Sequence, residues 1–211
     1  MRIIVTARRE ENLKKLKDEI ESNSKSTVII LIKDLSDPKS PQEIYNFCKE
    51  KNLSIDFLVN NAGYGFTEDF DTYDLEKLDD FLNVLMNSLV KLTRLFIQDM
   101  KVRKSGKILQ VSSIAGIIPS GSGAIGIYGN IKNFVNEFTI TLNSTYKKHN
   151  VHTCALCPGF TETGFNKRAG FKMQYSDVPS LFLMSGKNVA KQGVDACLNG
   201  KEIFVVRGGF N

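Results

Sequence analysis

Short apolar runs rich in β-branched residues recur along this chain, separated by stretches in which apolar residues return every three or four positions. Residues 3–7, 27–32, 55–59, 107–111, 151–156 and 203–206 have the length and the Val/Ile content of buried strands. Leu13, Leu16 and Ile20 mark one face of a helix that begins near residue 10, and the same periodicity predicts helices over about 75–100, 127–148 and 189–198. Ser40-Pro41-Gln42-Glu43 reads as an N-cap, a first-turn proline and a capping-box glutamate, opening a helix that buries Ile44, Phe47 and Cys48.

Six strands alternating with helices predict an α/β fold, in which right-handed crossovers build a doubly wound parallel sheet between two helical layers. Ligands of such sheets collect at the carboxyl ends of the strands, and the polar motifs of this chain fall there. With 211 residues, 42% of them hydrophobic, the chain can bury a sizeable core without disulfides or metals. No repeat, linker or low-complexity tract interrupts it, so residues 1–211 are expected to form one domain.

Charge and cysteines narrow the class. The 28 Lys and Arg against 23 Asp and Glu give +5, interspersed rather than clustered, which argues against a nucleic-acid partner and suits an anionic cofactor. No apolar run approaches the ~18 residues of a membrane span, and no secretory segment is evident. Four cysteines then fit a reduced compartment, and the cytoplasm is expected. Cys154 and Cys157 have a metal-like spacing but sit three apart on a predicted strand, on opposite faces, so both are read as core. His149 and His152 lack companion ligands, and no metal site is predicted. Asn52-Leu53-Ser54 and Asn143-Ser144-Thr145 match glycosylation sequons that stay silent in the cytoplasm.

The spacing Tyr-x-x-x-Lys occurs three times, at Tyr45/Lys49, Tyr73/Lys77 and Tyr128/Lys132. Tyr45 and Tyr73 lie on ordinary amphipathic stretches, where a solvated tyrosine is expected. Tyr128 instead follows a buried strand, the pair Ser112-Ser113 and a glycine-rich loop. Residues i and i+4 share a helix face, so the Lys132 ammonium can sit near the phenol and favour phenolate. Bringing a tyrosine pKa from ~10 toward ~7 takes about 4 kcal/mol, which an ammonium plus a cationic nicotinamide can supply in a partly dry cleft. Such a phenol is a general acid near neutral pH. Ser113 is the first choice for holding a substrate oxygen, with Ser112 the alternative, because consecutive strand residues face opposite sides. Asn60-Asn61-Ala62-Gly63 offers a turn against which a flat cofactor ring can lie. Together these segments point to a carbonyl reductase.

Over nearly its whole length the chain resembles the short-chain dehydrogenase/reductase family. The resemblance is carried by Thr6-Ala7-Arg8-Arg9, Asp34-Leu35, Asn60-Asn61-Ala62-Gly63, Val111-Ser112-Ser113, Tyr128-Gly129-Asn130-Ile131-Lys132 and Cys157-Pro158-Gly159-Phe160-Thr161-Glu162-Thr163. It implies a Rossmann-like sheet with Tyr128 as catalytic acid/base, Lys132 also binding the nicotinamide ribose, and Ser113 holding the reacting oxygen. It further implies that Asp34 and Leu35 meet the adenine, that Asn60, Ala62 and Gly63 line the adenosine side, and that Pro158, Gly159, Thr161 and Thr163 contact the nicotinamide end. Arg8 stands where an NAD-preferring domain places an acid for the ribose hydroxyls, so a 2'-phosphate and NADP are expected, with NAD the alternative. The substrate is expected to be a small carbonyl compound or alcohol; Phe165, Phe171, Met173, Phe182 and Met184 suggest an apolar lid over it, and core packing explains them equally well. A homodimer or homotetramer is expected, as in many relatives.

Three departures stand out. The chain as given begins at what resembles the family's second strand, without the preceding strand and its glycine-rich phosphate turn. That leaves the strands near Ile3 and Ile55 with apolar edges that must pair together, find another chain or aggregate. The family's catalytic-network asparagine falls on Leu85, between Asn83 and Asn87, and Ser113 to Tyr128 spans 15 positions, about two more than usual. The first departure motivates a rival expectation, a catalytically silent relative that acts as a binding or interaction protein.

Overall fold

β-Branched apolar segments pair in parallel, and amphipathic segments cross over between them. The computed structural model describes residues 1–65, 70–118, 126–163, 165, 179 and 183–206. In chain order the main elements are β1 (Arg2–Ala7), α1 (Glu10–Asn23), β2 (Thr27–Ile32), α2 (Ser40–Glu50), β3 (Phe57–Asn60), α3 (Leu75–Leu82) and α4 (Ser88–Arg103). They continue with β4 (Gly106–Val111), α5 (Gly126–Tyr146), β5 (Val151–Cys157), β6 (Thr161–Glu162), β7 (Met184–Ser185), α6 (Gly186–Leu198) and β8 (Ile203–Val205). A π-helical turn, Asn83–Asn87, joins α3 to α4. Among the described residues no helix is long and apolar enough to cross a membrane.

All the pairings are parallel, with β1 beside β2 and a separate four-stranded order β3-β4-β5-β8. Alternation along each strand sends side chains to two helical layers. Ile108 and Val151 pack with Ile44 of α2 and with Leu92, Phe96, Ile97 and Met100 of α4. Leu109, Cys154 and Leu156 pack on the other face with Val189, Ala196 and Cys197 of α6. The three-layer, doubly wound α/β arrangement expected from the sequence is therefore present. The opposite-face reading of the Cys154/Cys157 pair also holds. Cys154 belongs to the α6 side, and Cys157 Sγ reaches Asn136 Oδ1 of α5 at 3.4 Å. All four cysteines are buried and free.

The strand edges near Ile3 and Ile55 do not pair together. Among the described residues β1 pairs with β2 and β3 with β4, and Ile4, Leu31 and Leu58 all pack against the one core beneath α2 and α4. The two sheets thus share a helical layer, and Val59 is 47% exposed.

Four local expectations are corrected. Ser40 is the first residue of α2 rather than its cap: Lys39 holds the cap position without a side-chain bond, and Glu43 pairs with Lys33 (2.6 Å) instead of closing a capping box. Leu13 is the buried residue of α1, with Leu16 39% exposed, because α1 covers only the small β1–β2 unit. Phe47 is half-buried rather than buried, at the margin of the core. Neither decoy tyrosine is solvated. Tyr73 is buried, and Tyr45 packs edge-on against Phe96 while donating to Asp99 (3.2 Å), which also pairs with Lys49 (3.3 Å). Asn143 of the second sequon is also buried, held by Glu202.

Candidate active site

The carboxyl end of β4 and the first turns of α5 meet at a close backbone approach. A Cβ on Gly116 would lie 2.5 Å from the Lys132 carbonyl carbon and 2.7 Å from Asn133 N, so a glycine is needed to seat the turn Ile114–Gly116 on α5. Gly116 O accepts from Asn133 Nδ2 (3.0 Å) and Asn136 Nδ2 (3.2 Å), and Ser112 Oγ donates to Lys132 O (3.0 Å). These bonds register Ser113 against Tyr128. A Gly116→Ala substitution is expected to cost about 1–3 kcal/mol through overpacking, read as a lowered midpoint in urea unfolding.

Ser113, Tyr128 and Lys132 are brought together. Ser113 Oγ accepts from Ala115 N (3.1 Å) and lies close enough to the Tyr128 phenol to lower its pKa, whereas Ser112 is buried in the β4–α5 junction. The first choice between the two serines is thus the one facing the phenol. Lys132 Nζ sits 5.5 Å from the centre of the Tyr128 ring, and Phe165 lies 5.7 Å from the same ring. Tyr128 is 8% exposed and Lys132 5%.

Burial pushes Tyr128 up to about 12, and the nearby Ser113 hydroxyl offsets only part of this. Lys132 does not reverse the balance, because its ammonium is itself desolvated, lowered to about 8, and donates to Val111 O (2.8 Å) while lying over the ring. Two buried groups thus each favour their neutral form.

A second group forms at the carboxyl ends of β1 and β2. The register Ala7↔Ile32 places Arg8 beside Asp34, with Arg8 Nη1 3.4 Å from Asp34 Oδ2. Burial raises the Asp34 carboxyl, but bonds from Ser36 N and Oγ and the Arg8 charge outweigh it, leaving it below its ordinary value. Leu35 packs into the core, and its carbonyl accepts from Ser88 Oγ (2.8 Å) at the start of α4.

Between the two groups lies the turn after β3. Asn60 is buried, Asn61 and Ala62 are exposed, and Gly63 approaches Leu85, which packs with Phe81, Tyr128 and Ile131. Tyr64 shares that apolar cluster, and burial, with smaller contributions from Asp80 and Asp34 opposed by Arg8, raises its phenol. Leu85 thus fills the asparagine position with apolar packing. The flanking Asn87 and Asn83 bond each other, Asn87 Nδ2 donating to Asn83 Oδ1 (2.8 Å).

On the far side, Ile114 N donates to Pro158 O (2.9 Å), which brings the loop after β5 against Ser113. Thr161 Oγ1 donates to Gly159 O (3.0 Å), and Thr163 Oγ1 accepts from Phe165 N (3.2 Å). Of the expected lid, Phe165 meets Tyr128 and Met184 is buried beside Gly159. Phe171, Met173 and Phe182 lie outside the described residues, as does most of the glycine-rich loop before Tyr128. Sequence reasoning missed Thr93, Gln110, Tyr64 and the carbonyl of Val111. The one signal available was a glutamine inside an otherwise apolar strand. An open groove of about 360 Å³ lined by Cys48, Lys49, Asp99 and Arg103 lies at the opposite, amino-terminal edge of the sheet.

A parallel, doubly wound sheet with a serine, a tyrosine and a lysine gathered at its carboxyl edge defines a Rossmann-like oxidoreductase. The chain belongs to the short chain dehydrogenase family, whose description matches residues 1–173. It is 30% identical over 173 residues to a very-long-chain 3-oxoacyl-CoA reductase of Anas platyrhynchos, covering 79% of this chain and 54% of that one. The Rattus norvegicus protein of the same name is 28% identical over 219 residues, covering 100% of this chain and 67% of that one. The chain therefore spans about half to two thirds of the length of these relatives. In fold it matches a short-chain dehydrogenase from Sphingobium yanoikuyae solved in complex with NADPH, with a TM-score of 0.87, 20% identity, and coverage of 97% of this chain and 77% of that one.

Proposed function

We propose that this chain is an NADP(H)-dependent reductase of carbonyl groups to secondary alcohols, reversible in principle, with Tyr128 as the acid/base. The observation that carries the reading is the convergence of the Ser113 hydroxyl, the Tyr128 phenol and the Lys132 ammonium at the end of β4. The described residues fit the two ends of a dinucleotide. Arg8 and Asp34 would hold the adenosine ribose and adenine with Leu35, the exposed turn at Asn60, Ala62 and Gly63 would line the middle, and Pro158, Gly159, Thr161 and Thr163 would flank the nicotinamide.

When bound, the reduced nicotinamide supplies a hydride to the carbonyl carbon. Ser113 holds the carbonyl oxygen, and Tyr128 transfers its proton to that oxygen as the C–H bond forms. A phenol near 12 is fully protonated at neutral pH and so can act as the acid, and a cationic nicotinamide beside it would favour the phenolate. Lys132 uses one N–H on Val111 O and keeps two for the nicotinamide ribose. Its value near 8 lets it return a proton to the phenolate near neutral pH.

The relatives' names and the apolar packing of Phe165 on Tyr128 support a 3-oxoacyl thioester as substrate. The exposed Phe134 of α5, stacked on the half-buried Phe138 (5.7 Å), supports a homo-oligomer, and four free, buried thiols suit the cytoplasm. Packing of the β1–β2 unit on the shared core supports residues 1–211 acting as one unit.

The test is NADPH oxidation followed at 340 nm with a 3-oxoacyl thioester, alongside NADPH titration by fluorescence. Absence of saturable binding overturns the reading. Arg8→Glu is expected to weaken NADPH about tenfold and NADH little, since one charge-assisted contact to a 2'-phosphate contributes about 1.5–3 kcal/mol.

A further inference from the structure

The turn that would line the dinucleotide is anchored by a closed ring of buried amides. Asn60, the last residue of β3, spends both amide protons inside the protein, with Nδ2 donating to Thr93 Oγ1 of α4 (3.0 Å) and to Gln110 Oε1 of β4 (2.9 Å). Gln110 Nε2 closes the ring by donating to Thr93 Oγ1 (2.9 Å). Thr93 and Gln110 are 0% exposed, and Asn60 is 8% exposed. Ile108, two residues before Gln110 on the same face of β4, packs in the apolar core, so an apolar residue would suit position 110 for packing alone. A fully buried amide is tolerated only where its bonds are made, and here one bond leads to Asn60 and the other to Thr93, which Asn60 also bonds.

The placement makes that anchor consequential. β3 is four residues long, and among the described residues it pairs with β4, in a ladder that ends at Asn60↔Gln110. Beyond it the chain emerges at Asn61 and Ala62. The Asn60–Thr93–Gln110 ring is therefore the last fixed point before the turn. The carbonyl of the very next β4 residue, Val111, holds Lys132 Nζ (2.8 Å). One strand end thus registers the dinucleotide-facing turn and the ammonium together.

We infer that Gln110 is a positioning residue for dinucleotide binding, acting through Asn60 to set the Asn61-Ala62-Gly63 turn. The inference rests on the dinucleotide reading above. It is tested by hydrogen exchange and NADPH titration on Gln110→Leu in the whole chain. Loss of the ring is expected to speed exchange of residues 58–64 about tenfold and to raise the NADPH Kd about tenfold. Exchange over residues 127–133 and kcat at saturating NADPH should stay within about twofold. Gln110→Glu, which keeps an acceptor for Asn60, should recover most of the affinity. If Gln110→Leu does not fold, Thr93→Val removes the shared acceptor at almost constant volume and should give the same local acceleration. Parent-like exchange at 58–64 in a folded variant overturns the assignment of Gln110. Failure of the unaltered chain to bind NADPH overturns the dinucleotide reading instead, so the two failures are told apart.

Discussion

Tyr128→Phe is expected to lower kcat for carbonyl reduction by about 10²–10⁴ while leaving NADPH affinity within about twofold. The substitution removes one oxygen and keeps the ring that Lys132 Nζ and Phe165 contact at 5.5 and 5.7 Å, so packing survives and the proton donor is lost. Because the phenol stands near 12 in this chain, it stays protonated across the neutral range. Its loss should therefore appear in kcat at every pH from about 6 to 9 rather than as a shifted profile. Steady-state kinetics with a 3-oxoacyl thioester checks this, and a variant that keeps full turnover removes Tyr128 from the mechanism.

Lys132→Met is expected to act on catalysis and on stability at once. Turnover should fall by about 10²-fold or more, since in the proposed mechanism the ribose contact and the proton return both pass through this ammonium. The stability effect has a definite sign. Lys132 stands near 8 in the folded protein against an ordinary 10.5, so between pH 8 and 10.5 the unfolded chain binds more protons than the native one. Stability then rises with pH across that window, by about 3 kcal/mol from this group alone. Below pH 8 the full cost of burying the ammonium is present.

Tyr128 works in the opposite sense, with a folded value near 12 against 10 unfolded, so stability falls again above pH 10. The methionine variant should lose the rise between pH 8 and 10. At pH 7 it should be more stable than the parent by about 1–2 kcal/mol, after allowing for the Val111 carbonyl left without its donor. Urea unfolding at pH 7, 8.5 and 10 measures this, and an unchanged slope in the variant would show that Lys132 is not the buried cation that governs it.

Much of the architecture was legible because period and burial are local signals. The strand over Thr27–Ile32 was read to the residue, and those near 3–7, 107–111 and 151–156 to within one. Parallel strands buried on both faces need continuous Val, Ile and Leu runs, which few other structures require. The strands at Thr161–Glu162 and Met184–Ser185 escaped notice because two residues carry no periodicity. The π turn at Asn83–Asn87 was hidden inside a helix whose apolar repeat runs on through it.

The candidate residues divide along the same line. Order along the chain was enough to name Ser113, Tyr128, Lys132, Arg8 and Asp34, since each follows a strand and so belongs to the carboxyl edge of a parallel sheet. Nothing local could say that Arg8 and Asp34 face each other, or that Gln110 lies under Asn60, because those contacts cross 26 and 50 residues of sequence. Nor could the spacing of Tyr128 and Lys132 decide the sign of the phenol's shift. Helical geometry puts the two on one side, but the balance between charge and desolvation is set by how deeply the surrounding strands and Phe165 bury them.

By itself, then, the order of residues determined the α/β alternation, the family to which the chain belongs and the strand ends where chemistry gathers, because hydrophobic period and motif order are written along the chain. Only the tertiary structure decided that the sheet divides between β1 and β3, that the Asn60 turn rests on a buried amide ring, and that Tyr128 and Lys132 are each held toward neutrality. Hydrogen-bond pairing and desolvation depend on which distant segments come to surround a group, and local sequence does not carry that information.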